Sequence, residues 1–177
     1  MKKLTVFLMA MLLIASTCLM VGCGKTVAYK DIKAVLDSNG GQINIDDYQQ
    51  SDYDNVDLVF YYDPNTIIFH ANMSSSLYVY IHVSADGESV SLVCKDVAVG
   101  GYVVVGCDDD LEVEYVDVYT LANGSPDTRI SSTHEKYDQI WNSTKEHIST
   151  AVSYFNAVTC QYTNGKYCTL RQLMEND

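Results

Sequence analysis

Basic side chains are scarce in this chain. Eleven Lys and Arg stand against 23 Asp and Glu, a formal net charge of −12. That balance speaks against nucleic acid as a partner, because affinity there comes largely from cations neutralising phosphates. It speaks equally against lying flat on anionic lipid. The familiar catalytic signatures are missing too. There is no H-E-x-x-H and no paired Cys/His spacing for a metal, no G-x-S-x-G, no S-x-x-K and no Gly-rich loop opening a helix. No internal repeat, low-complexity tract or linker divides the chain, and only one long apolar run is present.

That run opens the chain. Lys2 and Lys3 precede an apolar stretch, Leu4 to Met20, interrupted by Thr5 and Ser16-Thr17. The three-part shape is that of a secretory signal. An uncleaved membrane span would want ~20 consecutive apolar residues. The run ends at Met20-Val21-Gly22-Cys23, which resembles the lipobox of bacterial lipoproteins. Cys18 fits that pattern less well, because Thr17 stands where Gly or Ala is wanted. The resemblance covers the signal alone. It implies a lipid on the Cys23 sulfur, cleavage just before it, and a location outside the cytoplasm at a bacterial cell membrane. Loss of Lys2 and Lys3 with the leader would take the net charge from −12 to −14. A single acyl chain holds weakly, at about 0.8 kcal/mol per buried CH2, whereas two or three hold firmly. The expected layout is a signal peptide over 1–22, a lipidated cysteine and short tether over 23–27, and one domain over 28–177.

Helical spacing of Ala28, Ile32, Val35 and Leu36 predicts a short N-terminal helix, with Asn39-Gly40-Gly41 able to take a left-handed cap. Residues 42–55 read as a short strand or loop. From residue 56 the period becomes two, with strands expected over 56–62, 66–71, 77–84, 88–95, 97–107 in two pieces, and 111–120. A two-residue turn at Asp86-Gly87 pairs Val83 with Val90, Ile81 with Leu92 and Val79 with Cys94, and leaves Tyr78, Tyr80, His82, Ser89 and Ser91 on the other face. A turn at Gly100-Gly101 would bring Cys94 opposite Cys107, where a cross-strand disulfide fits, although this register sets Asp96 on the Cys94 face. With Cys160 and Cys168 bracketing a tight turn, the four cysteines of an exported chain predict two disulfides, 94–107 and 160–168. Residues 121–127 read as a loop. A capping box at Ser132–Glu135 then opens a long helix over roughly residues 133–158. The expected fold is α+β: an antiparallel meander of about six strands packed against a long C-terminal helix, with a short N-terminal helix.

Three sets of residues remain as functional candidates. Tyr78, Tyr80 and His82 alternate along one strand and Tyr102 lies in the neighbouring hairpin, an aromatic face suited to sugar rings or to a protein. Half-buried strand faces also favour Tyr for packing alone. Asp52, Asp54 and Asp57 begin, but do not complete, a calcium loop: Val56 fails the third ligand and no Glu follows. His70 and His82 are expected on the polar face, with Thr66 opposite His82 and His70 opposite Tyr78, which sets them four strand positions apart and too far to share a metal. The functional expectation is a lipid-anchored binding or interaction module of a bacterial envelope. The alternative is a glycan-directed hydrolase using a carboxylate pair.

Overall fold

The structure, a computed structural model, describes residues 29–48, 56–63, 65–85, 89–108 and 112–162. In chain order these form α1 (Tyr29–Ser38), β1 (Gln42–Tyr48), β2 (Val56–Asp63), β3 (Thr66–Ser74), β4 (Leu77–Ser84), β5 (Val90–Asp96), β6 (Gly101–Cys107), β7 (Val113–Ala122), β8 (Ser125–Ile130) and α2 (Tyr137–Tyr162). The strands make one antiparallel sheet in sequence order, β1 to β8. The class is α+β, as expected, with eight strands rather than six.

The two extra strands have identifiable causes. Ile43 and Ile45 supply enough alternation for β1 to pair with β2, Ile43 opposite Phe60 and Ile45 opposite Leu58. The stretch after β7 is not a loop but a hairpin. Asn123 and Gly124 both take positive φ, 52° and 74°, between the paired Ala122 and Ser125. That is the two-residue turn whose twist suits flanking strands, and Asn-Gly is its favoured sequence. At the end of α1, Gly41 N–H donates to Leu36 O at 2.7 Å, and Gly40 and Gly41 take the left-handed conformation expected there.

Period-two alternation divides the sheet into two faces. One carries Leu58, Phe60, Ile67, Phe69, Val79, Ile81, Leu92, Cys94, Val103 and Val105, all buried. The helices cover this face, α1 at β1 and β2 and α2 across β4 to β7. Helix α2 contributes Ile140, Ile148, Val152 and Phe155. Phe155 meets Phe60 and Phe69 edge to face, at 5.6 and 5.4 Å between centroids, a geometry that aromatic quadrupoles favour. At the other end of the helix, a Cβ added to Gly101 would lie 2.5 Å from Ile140 Cγ2. The absence of a side chain there lets α2 approach the sheet.

Three local expectations are corrected. The β5–β6 turn is not Gly100-Gly101. Asp96 pairs with Gly101 across a four-residue turn, 97–100, in which Gly100 takes φ 67°. Cys94 therefore opposes Val103, and Cys107 opposes Val90. The two thiols are free and lie four residues out of register, about 13 Å along the strands, beyond disulfide reach. In β3–β4 the turn is confined to Ser75-Ser76, with Ser74 opposite Leu77, and beyond a one-residue bulge between Asn72 and Ser74 the ladder runs two residues away from the expected register: Ile68, not Thr66, opposes His82, and Tyr80, not Tyr78, opposes His70. Finally, α2 starts at Tyr137. In place of the capping box, His134 Nδ1 accepts the Lys136 N–H at 3.2 Å, and Ser131 and Thr133 bond each other. Cys160 is disulfide-bonded; Cys168, its expected partner, lies outside the described residues.

Candidate functional site

The face of the sheet turned away from the helices is built from the other half of each strand. Pairing aligns its side chains into three rows across β2 to β7. The first runs Asp57, Asn72, Tyr78, Lys95, Tyr102, Tyr119 and the second Val59, His70, Tyr80, Val93, Val104, Asp117. The third runs Tyr61, Ile68, His82, Ser91, Gly106, Tyr115. The sequence reading put Tyr78, Tyr80, His82 and Tyr102 together on this face, and they do share it. His70, also expected on the polar face, joins them, and the register adds Asn72, Tyr61, Tyr115 and Tyr119. Most of these side chains are neither buried nor fully exposed. Each leans on its row neighbours rather than standing free.

The centre of the face is His70 and Tyr80. Their rings lie 4.3 Å apart and 11° from parallel. Tyr78 lies 6.0 Å from His70, and His82 lies 6.1 Å from Tyr80. Tyr102 and Tyr119 meet edge to face at 6.1 Å. Tyr115 lies over Gly106, where a Cβ would collide with its ring, so the glycine makes room for the tyrosine. Val93, between Tyr80 and Val104 in its row, is 8% exposed although it points away from the helices.

Burial also sets the ionisation of this face. It lowers the pKa of His70 and of His82 below the ordinary 6.5, because a desolvated imidazolium is disfavoured. It raises the hydroxyl pKa of Tyr80 and Tyr102, with neighbouring tyrosines adding to the effect. At neutral pH the centre is therefore aromatic and polar but uncharged. Charge appears at its margins, as Asp57, Lys95, and Asp117 paired with Arg129.

Two atoms stand out beside the His70–Tyr80 stack. His70 Nε2 and Asn72 Oδ1 are buried and have no hydrogen-bond partner among the described residues. They sit two residues apart on the same side of β3, with Tyr80 and Tyr78 directly opposite. Sequence reasoning passed over Asn72, since the expected strand ended at residue 71, whereas β3 continues to Ser74 and pairs Asn72 with Tyr78.

A second polar cluster lies between the sheet and α2. Asp96 is 4% exposed. Its carboxylate accepts the N–H groups of Ala98 at 2.9 Å and Val99 at 3.4 Å, and the Ser143 hydroxyl at 3.1 Å. His147 Nε2 lies 3.6 Å from the same carboxylate. Ser, His and Asp are the residue types of a hydrolytic triad, but the connectivity differs. A triad places the imidazole between hydroxyl and carboxylate; here the carboxylate is in the middle and holds both. The cluster fastens the β5–β6 turn to α2.

Of the candidate calcium residues, Asp52 and Asp54 lie outside the described residues, and Asp57 is the second residue of β2, opposite Asn72. Among the described residues no group of three or more His, Cys, Asp or Glu is placed to hold a metal ion. Calcium at these aspartates is a proposal that a thermal melt with and without EDTA decides. Among the described residues no helix is long and apolar enough to cross a membrane.

The fold and the face define a class in structural terms, an open antiparallel sheet with helices on one side and a tyrosine–imidazole surface on the other. Comparison with protein-family models, with curated proteins and with solved structures finds no match to this chain.

Proposed function

We propose that this chain is a lipid-anchored binding module of a bacterial cell envelope, held at the membrane through Cys23 and presenting the uncovered sheet face to its ligand. The observation that carries the reading is the tyrosine–imidazole surface itself. Its rings are organised by strand register and only half-covered, and its central groups are uncharged. Binding surfaces concentrate such amphipathic rings, which offer apolar area and a polar edge at low entropic cost. The lipobox-like Met20-Val21-Gly22-Cys23 supports the anchor, and the acidic charge suits a domain that stands off an anionic membrane.

A hydrolytic reading needs two carboxylates about 5–9.5 Å apart across a cleft. Among the described residues, Asp57 and Asp63 of β2 lie on this face six residues or roughly 20 Å apart along the strand, and Asp117 of β7 stands five strand intervals or roughly 24 Å across the sheet from β2. The geometry favours binding over hydrolysis at this surface.

Two measurements test the proposal. Labelled palmitate should enter the full chain and be lost in Cys23→Ser, which should also leave the membrane fraction. Labelled full chain in detergent should then be titrated with neutral oligosaccharides, anionic oligosaccharides and short peptides. At least one class should move the ring signals of His70, His82, Tyr80 and Tyr102. Ligand-induced shifts confined to α2, reported by Trp141, would remove this face from the reading.

A further inference from the structure

Buried polar atoms in folded proteins are nearly always paired, and each exception calls for a reason. His70 Nε2 and Asn72 Oδ1 are two such exceptions side by side on one strand. They lie in the most aromatic part of the uncovered face, and Tyr78 and Tyr80 are their direct cross-strand neighbours. An ordinary structural solution was open to evolution at both positions. Apolar residues would pack against the same tyrosines without leaving polar atoms desolvated. Ile68, the preceding outward residue on β3, is of that kind.

We infer that His70, Asn72, Tyr78 and Tyr80 form a subsite for one uncharged sugar ring, which enters between the His70 imidazole and the Tyr80 ring. The inference rests on the binding reading above and names its ligand class. A sugar presents apolar C–H faces and a rim of hydroxyls. Stacked between the two rings, it would keep an aromatic surface on each side, as His70 and Tyr80 now keep each other. It would add what Tyr80 does not supply: a hydroxyl donating to Asn72 Oδ1, and a second hydroxyl bonding His70 Nε2. A hydroxyl both donates and accepts, so it satisfies either imidazole tautomer. A quaternary ammonium would also stack on tyrosine, but it carries no N–H for these atoms. The charge of the chain, −12, disfavours an anionic ligand. The polar atoms are covered while the rings are stacked, so the Tyr80 ring must move outward as the sugar enters.

The test uses labelled full chain in detergent, titrated with chitohexaose, cellohexaose and mannohexaose. Hexagalacturonate and an uncharged hexapeptide serve as comparisons. At least one neutral hexasaccharide should shift the His70 ring protons away from the upfield position that a stacked Tyr80 imposes. Asn72→Leu and His70→Phe should each weaken that binding at least tenfold. Both variants should melt no lower than the parent without ligand, because each removes an unpaired buried polar atom. Silence from all three neutral hexasaccharides overturns the inference, as does unchanged affinity in Asn72→Leu. A clear fall in melting temperature in both variants also overturns it, by revealing that the two atoms have structural partners. A response to the peptide or to hexagalacturonate alone sinks the sugar subsite and leaves the binding face standing.

Discussion

Asp96 shows how one residue can govern a turn, a register and a helix contact. An aspartate four residues before Gly100 looked like an intruder among apolar neighbours. Its carboxylate in fact takes two turn amides and Ser143 and faces His147. Replacing it with Ala leaves those donors unpaired in a buried site. Asp96→Ala should therefore cost about 2–4 kcal/mol, read as a lower midpoint in urea. Ser143→Ala removes one donor, leaves the carboxylate its turn amides, and should cost about 1 kcal/mol. Equal losses in the two variants would show that the turn amides contribute little. The thiols illustrate the same dependence on register. Burial raises the Cys107 pKa to about 11 and that of Cys94 further. Iodoacetamide at pH 8 should leave both unlabelled in the folded chain and label both in guanidinium. Protection that persists in denaturant would mean that they are oxidised.

At the scale of elements, α2 is positioned from both ends, by Phe155 in the aromatic cluster and by Ile140 against Gly101. Gly101→Ala should cost about 1–3 kcal/mol by overpacking, and Ile140→Ala about 2–5 kcal/mol by opening a cavity. The double variant should be more stable than the sum of the singles, because the new methyl enters the space that Ile140 vacates. Simple additivity in denaturation midpoints would separate the two sites. The elements themselves were largely legible. Periodicity alone placed α1, α2 and the strands β2 to β7, and the Asp86-Gly87 spacing placed the β4–β5 register, Val83 opposite Val90. The β7–β8 hairpin had its signal in Asn123-Gly124 and was missed. The β5–β6 register was not legible in the same way, because a glycine pair permits several turns and a buried side chain selected one of them.

For the whole molecule, the two desolvated histidines give stability a pH dependence. In the unfolded chain each takes a proton near 6.5, while in the folded protein each does so only at lower pH. As pH falls below 6.5 the unfolded state therefore binds more protons, and stability declines through that window. Above it these groups contribute no slope. A chain carrying His70→Phe and His82→Phe should show a shallower fall in melting temperature between pH 6.5 and 5 than the parent. Parallel curves would place both imidazoles in water.

The sequence by itself determined the pattern of this protein: which residues face a core, that helices cover one side of an antiparallel sheet, and that tyrosines collect on the other. Those features follow from period and composition, which act locally. Only the tertiary structure decided which side chains meet. Cys94 and Cys107 miss each other, and His70, Asn72 and the tyrosines come together, because one turn and one bulge set the alignment of whole strands. The β5–β6 turn is held by Asp96, whose carboxylate takes two amides of the turn and also the Ser143 hydroxyl of α2, and that last contact is one that no local stretch of chain records.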